Sequence, residues 1–142
     1  MAIRTGKAVW EGNLKRGNGK MKLGSGAYEV PFTAGTRFGE DKGTNPEELL
    51  GAAHAGCFSM AFSHGLDGAG FTPKSVTTTA KVHLDKDEKG FSITLIELVC
   101  EAEVPGIDEK RFQEIAEATK TGCPVSQALA AVKINLQAKL FY

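Results

Sequence analysis

NPEELLGAAHAGCFSMAFSHG, residues 45–65, predicts the long helix around which the fold is organised. Thr44 or Asn45 is a candidate N-cap, and Pro46 suits the first helical position. Two glutamates in the first turn complement the helix dipole. The residues that follow leave almost no polar face, and such a helix is normally central to a hydrophobic core. We therefore expect a long buried central helix.

Short strands and turns are predicted before this helix. Residues 7–10, 20–24 and 28–32 are strand-like, and Asn18-Gly19 is a strong hairpin signal. The glycine-punctuated residues 34–46 predict a loop that leads into the helix.

A hairpin is predicted after the helix, which Gly65 and Gly68 end. Residues 77–85 alternate apolar and polar side chains, and residues 91–104 form the returning strand. The predicted faces of the returning strand are Phe91, Ile93 and Leu95 on one side, and Ile96, Leu98 and Cys100 on the other.

Two helices and a last strand are predicted for the C-terminal third. Asp108 is a candidate N-cap, and Ile107 with Phe112 is placed to form a hydrophobic staple. Pro124 begins a short helix, and residues 132–141 alternate as a strand. The whole pattern predicts an α+β fold in one domain over residues 1–142.

A second copy of the chain is expected to complete the core. A monomer of 142 residues has difficulty covering a helix that is apolar on all sides. We therefore expect a homodimer that buries this helix.

Composition and charge exclude several classes of function. The chain has 17 basic and 17 acidic residues without a basic stripe, which argues against a nucleic-acid partner. No apolar run approaches the ~18 residues that span a bilayer, and the first residues lack the apolar region of a signal peptide. We therefore expect a soluble, cytoplasmic protein without a membrane partner.

The three cysteines are Cys57, Cys100 and Cys123, and an odd number without a CxxC pair argues against a structural disulfide framework. Cys123 occupies a predicted N-cap, where it either has a lowered pKa or is only a buried, capping residue. Cys57 is either a small core residue or a reactive thiol that needs a cationic neighbour, because apolar burial raises a thiol pKa. Cys100 is predicted to pack as a hydrophobe.

The histidines are candidate metal ligands. His54 and Cys57, at positions i and i+3, share a face of the long helix. Cys123 or His64 could join them, but no motif has the spacing of zinc ligands, and we expect no metal site. His83 lies on the polar side of a strand and is predicted to be solvated.

The motifs GTNPEELLGAAHAGCFSMA (residues 43–61) and GCPVSQAL (residues 122–129) resemble those of the OsmC family, the osmotically inducible relatives of the organic hydroperoxide resistance (Ohr) proteins. The segments AVWEGNLKRGNG (residues 8–19) and TRFGEDKGTNPEELLGAAHA (residues 36–55) are similar to the OsmC subgroup. The resemblance covers nearly the whole chain. It implies an OsmC/Ohr-like fold, with antiparallel or mixed sheets around the central helix of an intertwined homodimer.

The resemblance also implies an activity and its residues. It implies a thiol peroxidase of antioxidant stress defence, which reduces organic hydroperoxides and, less well, hydrogen peroxide. Cys57 takes the role of peroxidatic cysteine and Cys123 that of resolving cysteine, and the two form a transient disulfide. Glu47 and Arg37 complete the implied site, with Arg16 as a second candidate for the arginine. The implied reductant is a dithiol such as a dihydrolipoyl protein, and no cofactor is implied.

Helix geometry adds one expectation about the site. Glu47 and Cys57 are ten residues apart, which corresponds to about 15 Å along a helix. An arginine bound to Glu47 cannot easily touch Cys57 of the same straight helix. We therefore expect antiparallel copies of the helix to pair, so that Arg37 and Glu47 of one subunit serve Cys57 of the other at the dimer interface.

Two other functions are consistent with the same residues. A non-enzymatic redox sensor would use both cysteines but would oxidise once, without multiple turnover. A binding module would hold a small hydrophobic ligand in the apolar pocket with Cys57 as a bystander, so Cys57→Ser would leave binding intact.

Overall fold

Six strands and four helices make up the structure, a computed structural model that describes residues 1–142. The elements are β1 (Gly6–Glu11), β2 (Asn18–Leu23), β3 (Glu29–Phe32), α1 (Ala34–Phe38), α2 (Pro46–Gly68), β4 (Ser75–Asp87), β5 (Gly90–Glu103), α3 (Glu109–Gly122), α4 (Pro124–Ala128) and β6 (Lys133–Phe141). The predicted α+β class is confirmed. The chain divides into two compact units, residues 1–49 and 50–142, and the assignment of all residues to one domain stays a prediction.

The first unit contains an antiparallel sheet in the order β1-β2-β3. The hairpin between β1 and β2 is confirmed, but Asn18-Gly19 begins β2 instead of forming the turn. The turn comes earlier, where Gly12 has a φ of +93° and Asn13 Oδ1 accepts a 2.8 Å hydrogen bond from the N–H of Arg16. The Asn-Gly signal therefore predicted the hairpin correctly but placed its turn wrongly.

Gly19 is required in β2 for a steric reason. The ring centroids of Trp10 and Phe32 are 5.3 Å apart. A Cβ atom on Gly19 would lie 2.7 Å from the Trp10 ring and 2.8 Å from the Phe32 ring. Glycine here allows two aromatic rings to pack closely over the strand.

Residues 34–38, predicted as loop, form the short helix α1. A capping box closes its first turn, because Thr33 Oγ1 accepts from the N–H of Thr36 at 3.2 Å and Thr36 Oγ1 accepts from the N–H of Thr33 at 2.9 Å. The loop prediction was wrong because threonine stands here where glutamate or glutamine usually completes the box.

The long helix α2 begins as predicted. Asn45 is its N-cap, since Asn45 Oδ1 accepts a 2.8 Å hydrogen bond from the N–H of Glu48. The helix continues through Gly65 and ends at Gly68. Between its buried positions Gly51, His54, Phe58, Phe62 and Leu66 lie the exposed residues Ala52, Ala53, Gly56 and Met60. Burial of the helix on every side therefore stays a prediction for the assembled protein.

The second unit packs helices on one face of a three-stranded sheet in the order β4-β5-β6. β4 and β5 are antiparallel and β5 and β6 are parallel, so the sheet is mixed, as predicted. The largest buried side chains of this core are Phe58, Phe62 and Leu66 of α2, Ile96 and Leu98 of β5, and Phe112 of α3. The sheet thus supports the middle of α2 and fixes where its side chains point.

A β-bulge in β5 changes the predicted faces of that strand. Val82 and Leu84 of β4 pair with Ile96 and Ile93, so Thr94 is an extra residue in the ladder. The bulge shifts the alternation by one residue, and Ile93 packs against the same core as Ile96. The prediction that these two residues face opposite sides was wrong.

The C-terminal helices begin where predicted. Asp108 accepts a 2.8 Å hydrogen bond from a backbone N–H in the first turn of α3, and Ile107 and Phe112 are both buried. Cys123 ends α3 and is also the N-cap of α4. None of the helices combines the length and apolar character that crossing a membrane requires.

Candidate active site

Cys57 lies where α2 meets the beginning of α4. Its Sγ accepts a 3.5 Å hydrogen bond from the N–H of Val125, the second residue of α4. Burial raises the pKa of the Cys57 thiol, the Val125 amide opposes this shift, and the neighbouring Cys123 adds to it. Burial is the largest of these effects, so the protonated thiol is favoured within the single chain.

The two cysteines of the predicted pair are neighbours. Cys123 is 1% exposed, it is the N-cap of the helix α4 whose Val125 N–H contacts Cys57, and both thiols are free. The S–H of Cys123 also donates to Ser126 Oγ at 3.0 Å, and Cys123 Sγ accepts the N–H of Ser126 at 3.4 Å. Adjacent thiols of this kind can form a disulfide once one of them has been oxidised to a sulfenic acid.

A buried histidine extends this network. His54 is 0% exposed, its Nε2 lies 2.7 Å from Ser126 Oγ, and its Nδ1 has no hydrogen-bond partner. Burial lowers the pKa of His54, so the ring is neutral near neutral pH. From the sequence, His54 was considered only as a metal ligand, and Ser126 was missed because the two residues lie 72 positions apart. The one feature of the sequence that could have identified Ser126 as a site residue is its position in the first turn of a predicted helix, close to Cys123.

Other polar candidates lie outside this network. No group of three or more His, Cys, Asp or Glu side chains is placed to hold a metal ion. His83, predicted to be solvated, is half-buried, and its Nε2 lies 2.6 Å from Glu97 Oε2. The His83 side chain is 41% exposed and thus in contact with solvent, and the neighbouring strand brings the Glu97 carboxylate to the diagonal position. Cys100 is buried in the core as predicted, and burial raises the pKa of its thiol.

Arg37 and Glu47 form a bidentate ion pair in the first unit. Arg37 Nε lies 2.9 Å from Glu47 Oε1 and 3.3 Å from Oε2, and Nη2 lies 2.8 Å from Oε1. The Glu47 side chain is 8% exposed, whereas that of Arg37 is 37% exposed. Arg16, the second candidate arginine, lies in the turn between β1 and β2. Glu47 therefore holds the guanidinium of Arg37 in a fixed orientation while part of it remains accessible.

Comparisons with known proteins give consistent results. A family model described as OsmC-like protein matches residues 39–137. The chain is 53% identical over 138 residues to Peroxiredoxin OsmC of Escherichia coli (strain K12), covering 96% of both chains. It is 33% identical over 100 residues to the organic hydroperoxide resistance protein OhrB of Bacillus subtilis (strain 168), covering 68% of this chain and 71% of that one. The crystal structure of an organic hydroperoxide resistance protein from Elizabethkingia anophelis matches with a TM-score of 0.75, 26% identity and 99% coverage of both chains.

Proposed function

The chain belongs to the OsmC family, and on that premise we propose that it is a cysteine-based peroxidase that reduces organic hydroperoxides. Hydrogen peroxide is the poorer substrate, and the activity serves defence against oxidative stress. The higher identity to a peroxiredoxin OsmC, 53% against 33% for an OhrB protein, favours the OsmC branch. Both compact units belong to one OsmC-like domain of residues 1–142.

The meeting of Cys57 and Cys123 at the first turn of α4 is the observation that carries this proposal, since Cys57 Sγ accepts the N–H of Val125 and Cys123 caps the same turn. A purely structural cysteine, such as Cys100 in the core, needs no second thiol beside it. A peroxidase with a resolving cysteine needs both thiols within reach of each other.

The reaction proceeds in three steps. The Cys57 thiolate attacks the distal peroxide oxygen, the O–O bond breaks, and the alkoxide takes a proton to leave as an alcohol. Cys57 then carries a sulfenic acid, which condenses with the Cys123 thiol to a disulfide and water. An external dithiol, such as a dihydrolipoyl protein, restores both thiols by exchange. The cytoplasm, whose reducing conditions maintain such dithiols, is the proposed location.

Intact mass spectrometry tests the two cysteine roles directly. We expect the reduced wild type, mixed with one equivalent of cumene hydroperoxide, to lose two hydrogens as the disulfide forms. Cys123→Ser should instead gain one oxygen on Cys57, because serine cannot resolve the sulfenic acid. Unchanged masses after several minutes would reject the peroxidase and favour a hydrophobic-ligand binding module. Oxidation without repeated turnover in excess dithiol would favour a redox sensor.

A second subunit completes each active site in this proposal. The Cys57 thiolate needs a cation because burial raises its pKa. Arg37 is held by Glu47, which lies ten residues before Cys57 on α2, or about 15 Å along the helix. Antiparallel pairing of two α2 helices would bring the partner's Arg37 to Cys57. The exposed apolar residues of α2, among them Met60 at 78% exposure, support this pairing.

Arg37→Met is expected to lower the rate of Cys57 oxidation about 10- to 1,000-fold at pH 7, because loss of a neighbouring cation raises a thiol pKa by roughly 1–3 units. Mixed dimers then identify which chain supplies the arginine. Refolding Cys57→Ser chains together with Arg37→Met chains should restore about a quarter of the wild-type activity, since half of the dimers then hold one intact site of two.

The matched control carries both substitutions on one chain. Cys57→Ser/Arg37→Met chains refolded alone should stay inactive, and sedimentation should give about twice the chain mass of 15.1 kDa for every variant. No recovery in the mixed sample would show that Arg37 and Cys57 act within one chain. A fully active monomer would reject the shared site altogether.

A further inference from the structure

His54, Ser126 and Cys123 form a continuous hydrogen-bonded chain that the three-step reaction does not use. Ser126 Oγ lies 3.0 Å from Cys123 Sγ and 2.7 Å from His54 Nε2. The exposed fractions of the three residues are 0% for His54, 3% for Ser126 and 1% for Cys123. Solvent bases therefore have little access to the Cys123 thiol, although that thiol must lose its proton in every catalytic cycle.

The donors and acceptors of these hydrogen bonds set the direction in which a proton can move. Ser126 Oγ accepts the S–H of Cys123, so its own O–H can donate to His54 Nε2. Transfer of one proton from Cys123 through Ser126 to His54 produces a second arrangement. In it, His54 Nε2–H donates to Ser126 Oγ, and the Ser126 hydroxyl donates to a Cys123 thiolate. Both arrangements satisfy the two hydrogen bonds, as a proton relay requires.

We propose that Ser126 and His54 accept the proton of Cys123 while that thiol attacks the sulfenic acid on Cys57, an inference that rests on the proposed function. The sulfur of Cys123 bonds to the sulfur of Cys57, and the S–O bond of the sulfenic acid breaks. The thiol proton moves to Ser126 Oγ as the Ser126 proton moves to His54 Nε2. The proton held by His54 is then returned to the leaving hydroxide, which departs as water. The step therefore consumes no external reagent.

The two residues have different roles in this step. Ser126 contacts the reacting sulfur and is a catalytic residue, and its backbone N–H also donates to Cys123 Sγ at 3.4 Å. His54 acts through Ser126 and is a positioning residue that also stores the proton. Its ring is neutral near pH 7, so it is free to accept one.

The pH dependence of the relay depends on the ionisable groups near it. The ionisable groups near these hydrogen bonds include Cys57 of α2 and Lys120 of α3, which lines a surface cavity together with Ser126 and pairs with Glu117. In the proposed dimer, the arginine that the second subunit brings to Cys57 joins them. On the β4 side, Thr78 bonds to Ser59 of α2, and Ala80 and Val82 lie beside Gly51, and all three are uncharged. We therefore expect the rate of disulfide formation to fall at acid pH as His54 becomes protonated.

Single-turnover kinetics from pH 5 to pH 8 test the relay. Reduced protein is mixed with one equivalent of cumene hydroperoxide, quenched at intervals, and analysed by mass for sulfenic acid and disulfide. In the wild type, the rate of disulfide formation should be nearly constant near pH 7 and fall in acid as His54 becomes protonated. Ser126→Ala and His54→Gln should each slow this step about 100-fold at pH 7. Their remaining rate should depend on removal of the Cys123 proton by solvent, so it should lose the acid fall that His54 sets and should increase with buffer-base concentration.

Three controls separate a relay from a structural role. Ser126→Thr keeps the hydroxyl and should recover most of the rate, and Ser59→Ala removes another hydroxyl hydrogen bond of α2 and should leave the rate unchanged. Circular dichroism identifies variants that do not fold. If Ser126→Ala does not fold, the rate and pH profile of His54→Gln decide whether the relay operates. Rates within threefold of wild type with the same pH profile would overturn the relay. Absence of both sulfenic acid and disulfide in the wild type would instead reject the proposed peroxidase.

Discussion

Cys57→Ser is expected to lower the rate constant for cumene hydroperoxide reduction by at least about a thousandfold. Serine keeps the size of the side chain and its acceptor for the Val125 N–H, which Cys57 Sγ accepts at 3.5 Å. It removes the thiolate, the form of cysteine that acts as a nucleophile. Peroxide loss measured with time in excess dithiol gives the rate constant.

Two cysteine variants are the matched controls for this result. Cys100→Ala removes a buried thiol that lies in the hydrophobic core and should leave the rate within about twofold. Cys123→Ser should retain the first oxidation of Cys57 but lose fast turnover, because the sulfenic acid is no longer converted to the disulfide. A Cys57→Ser protein that keeps a tenth of the wild-type rate constant would exclude Cys57 as the peroxidatic residue.

Phe62→Ala is expected to lower the free energy of unfolding by about 3–5 kcal/mol, a large part of the ~5–15 kcal/mol of a typical domain. The Phe62 side chain is 0% exposed, and its ring centroid lies 5.6 Å from that of Phe58 and 5.2 Å from that of Phe112. The substitution leaves a cavity between α2 and α3 and removes two aromatic contacts. Urea unfolding at one fixed protein concentration measures the change, since a dimer makes stability depend on concentration.

Phe91→Ala provides the comparison with an exposed ring. Phe91 lies at the tip of the β4–β5 hairpin and is 49% exposed. We expect a loss below about 1 kcal/mol for this variant, because about half of Phe91 is already exposed to solvent in the folded protein and less apolar burial is lost. Equal losses for the two substitutions would mean that the aromatic contacts of Phe62 contribute little beyond the loss of a phenyl group.

The local chemistry of helix ends made much of the fold predictable from the sequence. Asn45-Pro46 and Asp108 mark helix starts through bonds between residues three positions apart, and such bonds depend on neighbouring residues only. The bulge at Thr94 was not predictable, because an extra residue in a ladder is defined by the strand opposite. The turn at Gly12 was missed because Asn18-Gly19 carries the stronger local signal.

Some residues of the candidate site could likewise be predicted from the sequence, and others could not. Cys57 and Cys123 could be identified because each lies in a contiguous motif, and the Arg37–Glu47 contact spans only ten residues. The hydrogen bond between His54 and Ser126 spans 72 residues and exists only after α4 has packed beside α2. No periodicity within either helix indicates that pairing, so the tertiary structure was needed to find it.

One atom, the sulfur of Cys123, is both the N-cap of α4 and a thiol of the proposed redox pair. A reduced sulfur, especially as a thiolate, accepts the Ser126 N–H better than a disulfide sulfur does, so the cap stabilises the reduced protein. Stabilising the reduced form raises the reduction potential, and about 1.4 kcal/mol corresponds to about 30 mV for a two-electron couple. A cap that contributes about 1 kcal/mol would therefore shift the potential by about 20 mV toward easier reduction. Capping of α4 by Cys123 would in this way favour reduction of the Cys57–Cys123 disulfide by the external dithiol at the end of each cycle.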